Sequence, residues 1–164
     1  MAPPIATTAT AVKREAAWLK TSGDGLPGLL ESAGGPFDIV QAYLQRTPPE
    51  VRSLYVLRSR LVSTHFAAVR RMPKYRFLLR VVWPIRDPQG EAEDDQQLLD
   101  DAVELVLARI TGFTHDKTHG GRFLSVGETD EPTVVFADPA RTMYDFNALT
   151  CDITYGADDY ETVG

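Results

Sequence analysis

The chain has 164 residues, a formal net charge of −6 and 43% hydrophobic residues, the composition of a globular protein large enough to bury its own core. Its apolar runs fall far short of the roughly 20 residues that a membrane-spanning helix needs, and its start lacks the basic and then apolar pattern of a secretory signal. A single cysteine, Cys151, excludes an intrachain disulfide and favours a reducing compartment. We therefore expect one domain over residues 1–164, with residues 1–8 and 157–164 flexible.

Charge is divided unevenly along the chain. Residues 1–86 carry 13 Lys and Arg against 5 Asp and Glu, whereas residues 87–164 carry 4 against 18. Such a division is typical of a nucleic-acid site on the basic half or of a subunit whose opposite faces pack head to tail in a ring. It also arises without functional meaning when the two halves interleave in space. The sequence leaves all three open.

The first part of the chain predicts a helix followed by two strands. Residues 10–20 place apolar side chains on one broad helical face. Residues 37–44 predict a strand, and so do residues 53–64, which are rich in aliphatic and β-branched side chains. Residues 65–72 form a connection that is either a helical turn or a continuation of the strand.

Strict alternation over residues 75–85 is the clearest local signal. One face is entirely apolar or aromatic, which predicts a strand with that face buried; it consists of Tyr75, Phe77, Leu79, Val81, Trp83 and Ile85. Pro84 cannot donate to a β-ladder, which places the end of the strand at a sheet edge or a bulge. The opposite face is solvent-exposed or meets an acidic partner, because it carries four cations: Lys74, Arg76, Arg80 and Arg86.

A long amphipathic helix is predicted over about residues 91–112. Acidic residues crowd its start, where the helix dipole favours them, and Gly112 marks its end. Its apolar stripe contains Leu99, Val103, Val106 and Ile110. Its outward face is acidic, which indicates either a solvated surface or one that faces a basic partner.

Short strands are predicted after this helix, at residues 122–128, 133–136 and 146–155. Together the elements predict the α+β fold class, with a mixed, mainly antiparallel β-sheet on which the long helix and the N-terminal helix pack.

The spacing of His115 and His119 is the only pattern that resembles a metal site. His-x-x-x-His binds zinc when both rings project from one helix, but here the pair follows Gly112 in a predicted polar turn, and no third ligand is obvious. We expect no metal and no cofactor. The chain also lacks a nucleophile elbow, a phosphate-binding loop and an isolated carboxylate pair, so we expect no enzyme. A metal hydrolase built on this pair remains the alternative.

A nucleic-acid-binding module is a further alternative, because arginines on the two predicted strands are interleaved with aromatic residues. However, the aromatic residues of the 75–85 strand lie on the face opposite its arginines and are therefore predicted to be core.

The order of these elements resembles the tail terminator proteins of long-tailed bacteriophages, especially those that infect actinobacteria. The pieces that carry the resemblance are VVWPIRD (81–87), KTHGGRFLSVGE (117–128) and ALTCDITYGADDYE (148–161). The resemblance covers roughly residues 37–160. Residues 1–36 depart from it, because many members of the family begin nearer the first strand.

The resemblance implies a structural virion protein at the head-proximal end of the tail, assembled in the host cytoplasm without a membrane. Such proteins form a homo-hexameric ring that caps the tail tube protein and stops its polymerisation. The ring then joins the tail to the head–tail connector or neck proteins, and genomic DNA passes through its lumen without specific binding. The alternatives in the same class are a neck or head–tail connector and a tail-tube-like subunit. Tube subunits usually carry a long stacking hairpin, for which residues 53–86 are the candidate.

Charged residues of the basic strands, the acidic helix face and the polar turn are the candidate contacts with a subunit or other neighbour. They are Arg58, Arg60, Arg76, Arg80, Asp100, Asp101, Glu104, Lys117, His119 and Arg122. We expect the acidic ones, or Asp158, Asp159 and Glu161 near the end of the chain, to line the lumen or to oppose the basic strand of a neighbour. Acidic walls would repel phosphate and so would not retain DNA.

Overall fold

The computed structural model describes residues 7–23, 25–47, 49–67, 70–85, 92–112, 116–128, 130–138, 141–142 and 147–163. The elements follow in this order: α1 (Thr8–Lys20), a 3₁₀ turn (Glu31–Ala33), β1 (Ile39–Ala42), β2 (Ser53–Ala67), β3 (Arg70–Pro84), α2 (Ala92–Thr111), β4 (Ser125–Val126), β5 (Thr133–Phe136), β6 (Ala148–Asp158) and β7 (Thr162–Val163).

All seven of these strands belong to one sheet. Its central order is β1–β2–β3–β6, with β4 and β5 both on the far edge of β6 and β7 beside the start of β3. The β1–β2 pair is parallel and every other pair is antiparallel. The predicted α+β class, with a mixed and mainly antiparallel sheet, is confirmed.

β2 and β3 form a long hairpin with 15 residues in each strand. Its pairing runs from Ser53 opposite Val82 to Ala67 opposite Arg70, with register shifts near Ser59 and Phe66. The predicted strands are confirmed, and residues 65–67 and 70–72 continue them instead of forming a helical turn. Because β1 pairs only with Ser53–Val56, β2 has an open edge beyond Val56 within the part of the chain that the structure describes.

The core lies between one face of this sheet and the two helices. The predicted inner face of β3 is buried, and Phe77, Leu79 and Val81 have no exposed surface. The predicted apolar stripe of α2 belongs to the same hydrophobic cluster, as do residues of α1. Burying each large apolar side chain contributes roughly 1.5–3 kcal/mol. The buried face of β3 and the apolar stripe of α2 therefore provide much of the free energy that stabilises the fold.

The described part of the N-terminal segment is integrated into this core. α1 confirms the predicted helix and begins two residues earlier, because Thr7 and Thr10 form a reciprocal capping box. Ala11, Val12 and Leu19 are fully buried. The predicted flexible residues 1–6 lie outside the described residues.

Two predictions about the second half are wrong. The described residues after 156 do not form a loose tail, because β6 continues to Asp158, Asp159 is buried, and β7 pairs with Arg70 and Arg71. The strand predicted at residues 122–128 shrinks to Ser125–Val126, because the preceding residues 117–122 form a turn. Among the described helices, none is long and apolar enough to span a membrane.

Candidate assembly interface

The cations on the outer face of β3 find acidic partners within the chain. Arg80 lies opposite Asp152 of β6, and its Nε and Nη2 donate to the two carboxylate oxygens at 2.9 and 3.0 Å. Arg76 Nε lies 3.6 Å from Asp130 Oδ2. Both pairs are partly exposed, so each contributes at most about 1 kcal/mol. Arg76 and Arg80, two of the predicted contact residues, are therefore already neutralised in the monomer.

Two further ion pairs are largely buried. Arg14 of α1 makes a bidentate contact with Asp159 at 2.9 and 2.7 Å and lies over the ring of Phe123. Arg52 Nη2 lies 2.7 Å from Asp95 Oδ1, in the first turn of α2.

All four pairs join a cation from the basic half of the chain to an anion from the acidic half. The two halves therefore interleave, and part of the charge asymmetry cancels inside the monomer. The pairs of Arg76 and Arg80 also interrupt the row of cations along β3 that a nucleic-acid backbone would follow.

A cluster of exposed basic side chains lies on the open-edge part of the hairpin. We call this surface the hairpin patch; it comprises Arg58, Arg60, Leu61, Val62 and Lys74. All five side chains are exposed, the two apolar ones to 49% and 44%. Arg58 lies over the ring of Tyr43 at 5.4 Å. Arg60 and Lys74 form no ion pair with the residues that the structure describes. In the strand register, Arg60, Val62 and Lys74 face one side of the hairpin and Leu61 faces the other. Asp130 and Asp158 line the same depression as the first three.

The exposed acidic charge is concentrated on the outward face of α2. We call this surface the helix patch; it comprises Asp94, Leu98, Asp100, Asp101 and Glu104. All are exposed, as predicted for the acidic ones, and none of the four carboxylates pairs with a cation of the described chain.

A groove of about 400 Å³ runs beside the helix patch. One wall consists of Leu98, Asp101 and Leu105 of α2, and the other contains Gly34 and Gly35. Leu98 is 48% exposed at its rim. The helix patch therefore combines acidic charge with an apolar depression, the complement of the hairpin patch.

His119 is withdrawn from the candidate contacts, because it is fully buried and no neighbour can reach it. Its Nδ1 lies 2.5 Å from Glu15 Oε1, and its Nε2 lies 3.0 Å from the carbonyl oxygen of Ile110. Both ring nitrogens face acceptors, which is the environment of an imidazolium that donates twice. The Tyr155 hydroxyl donates to the second oxygen of Glu15 at 2.5 Å.

Opposing effects act on the pKa of His119. Burial lowers it, whereas the charge and hydrogen bond of Glu15 and the Ile110 carbonyl raise it, and the net pKa lies above the ordinary 6.5. Burial, together with the charge of Glu15, raises the pKa of Tyr155, which keeps its hydroxyl protonated. The pair is therefore an internal ion pair.

A turn rich in local hydrogen bonds positions His119. Asp116 accepts from the backbone nitrogens of Thr118 and Gly120 and from the Thr118 hydroxyl, at 2.9, 3.0 and 2.7 Å. The Thr118 hydroxyl is the main reason that the pKa of Asp116 is lowered. His119 itself has a positive φ of 49°, a conformation that costs free energy outside glycine. The buried side-chain contacts offset that cost.

Arg109 joins the ends of the two helices. It is fully buried, and it donates to the carbonyl oxygens of Trp18, Thr21 and Gly23 at 2.6, 2.8 and 2.7 Å. It thus caps the C-terminus of α1 with a cation. Trp18 returns a hydrogen bond from Nε1 to the carbonyl of Arg109 at 3.1 Å, and its indole stacks on His119 at 5.0 Å.

The remaining polar-turn residues have modest contacts. Lys117 is exposed and lies 3.8 Å from Glu128, and Arg122 Nη1 donates to the carbonyl of His119 at 3.1 Å. Asp159 is buried against Arg14, so the prediction that it lines a lumen or opposes a neighbour is wrong.

Metal chemistry gains no support from the described residues. No group of three or more His, Cys, Asp or Glu among them is arranged to hold a metal ion, and His115 lies outside them. Cys151 belongs to the hydrophobic core. Burial, with the charges of Asp152 and Asp100, raises the pKa of this thiol to about 12, so it is not a reactive thiolate at neutral pH.

Sequence reasoning missed the junction formed by Glu15, Trp18, Arg109 and His119. One signal was present: Glu15 interrupts the apolar face of α1, between Ala11 and Leu19, where a carboxylate requires a buried partner.

No protein-family model matches the chain, and no curated protein matches it in sequence.

Proposed function

We propose that this protein is a structural virion component, a tail terminator that closes the head-proximal end of a phage tail tube. In this role it assembles as a homo-hexameric ring, stops polymerisation of the tail tube protein and offers a surface to the connector or neck proteins. DNA passes through the lumen without specific binding. The role involves no reaction and no cofactor.

One observation carries the proposal: two separate clusters of exposed charges without a described ion pair, one basic and one acidic, lie on different elements. The hairpin patch is basic and apolar, and the helix patch is acidic with an apolar groove. A protein that works as a monomer gains nothing from such a pair, whereas a ring requires a heterologous contact between two different faces. The order of elements that resembles tail terminators supplies the biological setting for the ring.

Tail-tube polymerisation in the presence of the protein tests the proposal. Purified tube protein is allowed to assemble with increasing amounts of this chain, and tube lengths are measured by electron microscopy. We expect the mean length to fall as the ratio rises. An unrelated acidic protein of similar size should leave the lengths unchanged. Equal length distributions with this chain and with the unrelated protein would contradict a terminating role.

The long hairpin favours a second candidate, a tail-tube-like subunit. Its two strands of 15 residues project beyond the pairing of β1 and extend past Lys74, where β6 ends. A tube subunit would polymerise alone into long tubes at high concentration. A terminator would stop at rings under the same conditions, so sedimentation and electron microscopy of the isolated protein distinguish the two.

A further inference from the structure

We propose that the hairpin patch of one copy docks against the helix patch of a second copy and forms the repeating contact of the assembly. This inference rests on the proposed function, because it specifies the surfaces through which the ring would close. The occupant of each patch is a second copy of this chain.

Charge complementarity identifies the second copy as the occupant. Within one protomer, the described ion pairs already satisfy Arg14, Arg52, Arg76 and Arg80, but no pair reaches Arg60 or Lys74 on one side or Asp101 or Glu104 on the other. The chain therefore carries its own complement on two different elements. The helix patch of a second copy can therefore pair with the hairpin patch of the first.

The strand geometry makes the hairpin patch accessible. Beyond Val56, no described strand covers the open edge of β2, and residues 58–62 are exposed without interruption. Arg60, Val62 and Lys74 lie on one side of the hairpin, because Arg60 pairs with Arg76 and Val62 pairs with Lys74 in the register. One apolar side chain flanked by two cations can therefore enter a groove while the cations reach its rim.

The groove beside α2 has matching chemistry. Leu98 and Leu105 provide apolar lining, and Asp101 lines the same groove. Glu104 lies one helical turn further along the exposed face. Val62 would contact the two leucines, and Arg60 and Lys74 would approach Asp101 and Glu104.

The contact is head to tail. Two hairpin patches repel one another, and so do two helix patches, so a two-fold arrangement of identical surfaces is disfavoured. A head-to-tail contact leaves one unused patch at each end of any open oligomer, and closing the ring uses them all.

Paired charge reversals test this contact. Arg60→Glu with Lys74→Glu alters the hairpin patch, and Asp101→Lys with Glu104→Lys alters the helix patch. Because each replaces attraction by repulsion, we expect either double variant to weaken subunit association by roughly 100-fold, measured by analytical ultracentrifugation.

Matched controls place the same charge changes elsewhere. Lys13→Glu with Lys20→Glu reverses two exposed cations of α1, and Glu50→Lys with Glu131→Lys reverses two exposed anions. Both should assemble as the wild type does. Circular dichroism and thermal unfolding show whether each variant is folded.

Mixing the variants identifies a heterologous contact. The hairpin-patch variant keeps an intact helix patch, and the helix-patch variant keeps an intact hairpin patch. In an equimolar mixture the two intact patches can dock, and the two reversed patches are also complementary in charge, so the mixture should regain the association that each variant alone has lost. All four reversals in one chain restore complementarity and should restore the wild-type oligomer.

The outcomes separate this inference from the proposed function. If the wild type assembles and shortens tubes while folded double variants assemble equally well, or if their mixture stays monomeric, the docking contact is wrong and the terminator role stands. If the wild type neither assembles nor changes tube length, the proposed function is wrong, and the docking contact falls with it.

Discussion

Glu15 and Asp101 are both carboxylates on helices, but their surroundings differ completely. Glu15 is fully buried and accepts from His119 and Tyr155, whereas Asp101 is exposed and pairs with no cation of the described chain. Taking an ion out of water costs several kcal/mol unless its partners are well placed. A solvated carboxylate carries no such cost and remains available for binding.

The same contrast separates two regions of the molecule. At the junction of α1, α2 and the 116–122 turn, charged and polar groups are buried with their partners and hold the N-terminal helix on the core. On the hairpin patch and the helix patch, charges are exposed without internal partners. We infer that the junction charges specify the fold and that the patch charges serve association, so changes in the two regions should have different consequences.

Glu15→Ala should produce the largest loss of stability. It leaves the His119 imidazolium buried without its counter-ion and removes the acceptor of the Tyr155 hydroxyl. The expected loss is about 3–5 kcal/mol, a large fraction of the roughly 5–15 kcal/mol that stabilises a typical domain. Denaturant unfolding measures it. Asp101→Ala is the matched control, with an expected change within about 0.5 kcal/mol; similar losses for both variants would refute the contrast.

Arg14→Met should have the next largest effect. The methionine retains much of the contact with Phe123 but leaves Asp159 buried without its bidentate partner. Because Arg14 is 11% exposed, some water can reach the carboxylate, and we expect a loss of about 2–3 kcal/mol. Lys13→Met, one residue earlier on the exposed side of α1, should change stability little. Equal values for the two variants would show that the buried pair is not stabilising.

The pH dependence of stability should be a smaller effect. The pKa of His119 is raised in the folded state above its ordinary 6.5 by Glu15, although burial and the charge of Arg109 oppose this. The contribution of His119 is therefore fully present below about pH 6.5 and is lost as the pH rises through the folded pKa. The free energy of unfolding of the wild type should therefore fall as the pH rises above about 6.5.

Variants of His119 and Glu15 test whether this pair causes the decline of the unfolding free energy with pH. His119→Gln removes the titrating ring, and Glu15→Gln removes the charge that raises its pKa. Both should flatten this decline, in whichever variant remains folded. An unchanged slope in a folded variant would assign the decline to another group.

Arg80→Ala should have the smallest effect. Although its hydrogen bonds with Asp152 are well aligned, the two side chains are 41% and 36% exposed. We expect a coupling of at most about 1 kcal/mol in a double-mutant cycle with Asp152→Ala. A coupling free energy as large as the loss of stability in Glu15→Ala would show that the exposed fraction of a charged side chain does not decide how much it stabilises the fold.

The periodicity of apolar side chains in the sequence predicted the helices and strands that depend on that periodicity. The alternation from Tyr75 to Ile85 and the stripe from Leu99 to Ile110 were predicted because each depends on side-chain periodicity within one element. The helical residues from Thr10 to Lys20 were predicted for the same reason. Some boundaries moved through local contacts, such as the capping box that starts α1 at Thr8. Others depend on long-range pairing, as where β7 joins Arg70 and Arg71.

The internal partners of charged residues could not be predicted, because they are distant in sequence. Glu15 and His119 are separated by 104 positions, and Arg80 and Asp152 by 72. Sequence reasoning therefore predicted His119 as a surface contact and Arg80 as an interface cation, and only the fold revealed their partners. Asp100, Asp101 and Glu104 were predicted as exposed because a helical period alone decides that.

Electron microscopy of tail tubes assembled with gold-labelled protein tests the central claim most directly. The account predicts label at one end of each tube only, with class averages of that end showing a six-fold ring of this subunit. Label distributed along the tube, or tubes without label at either end, would contradict it.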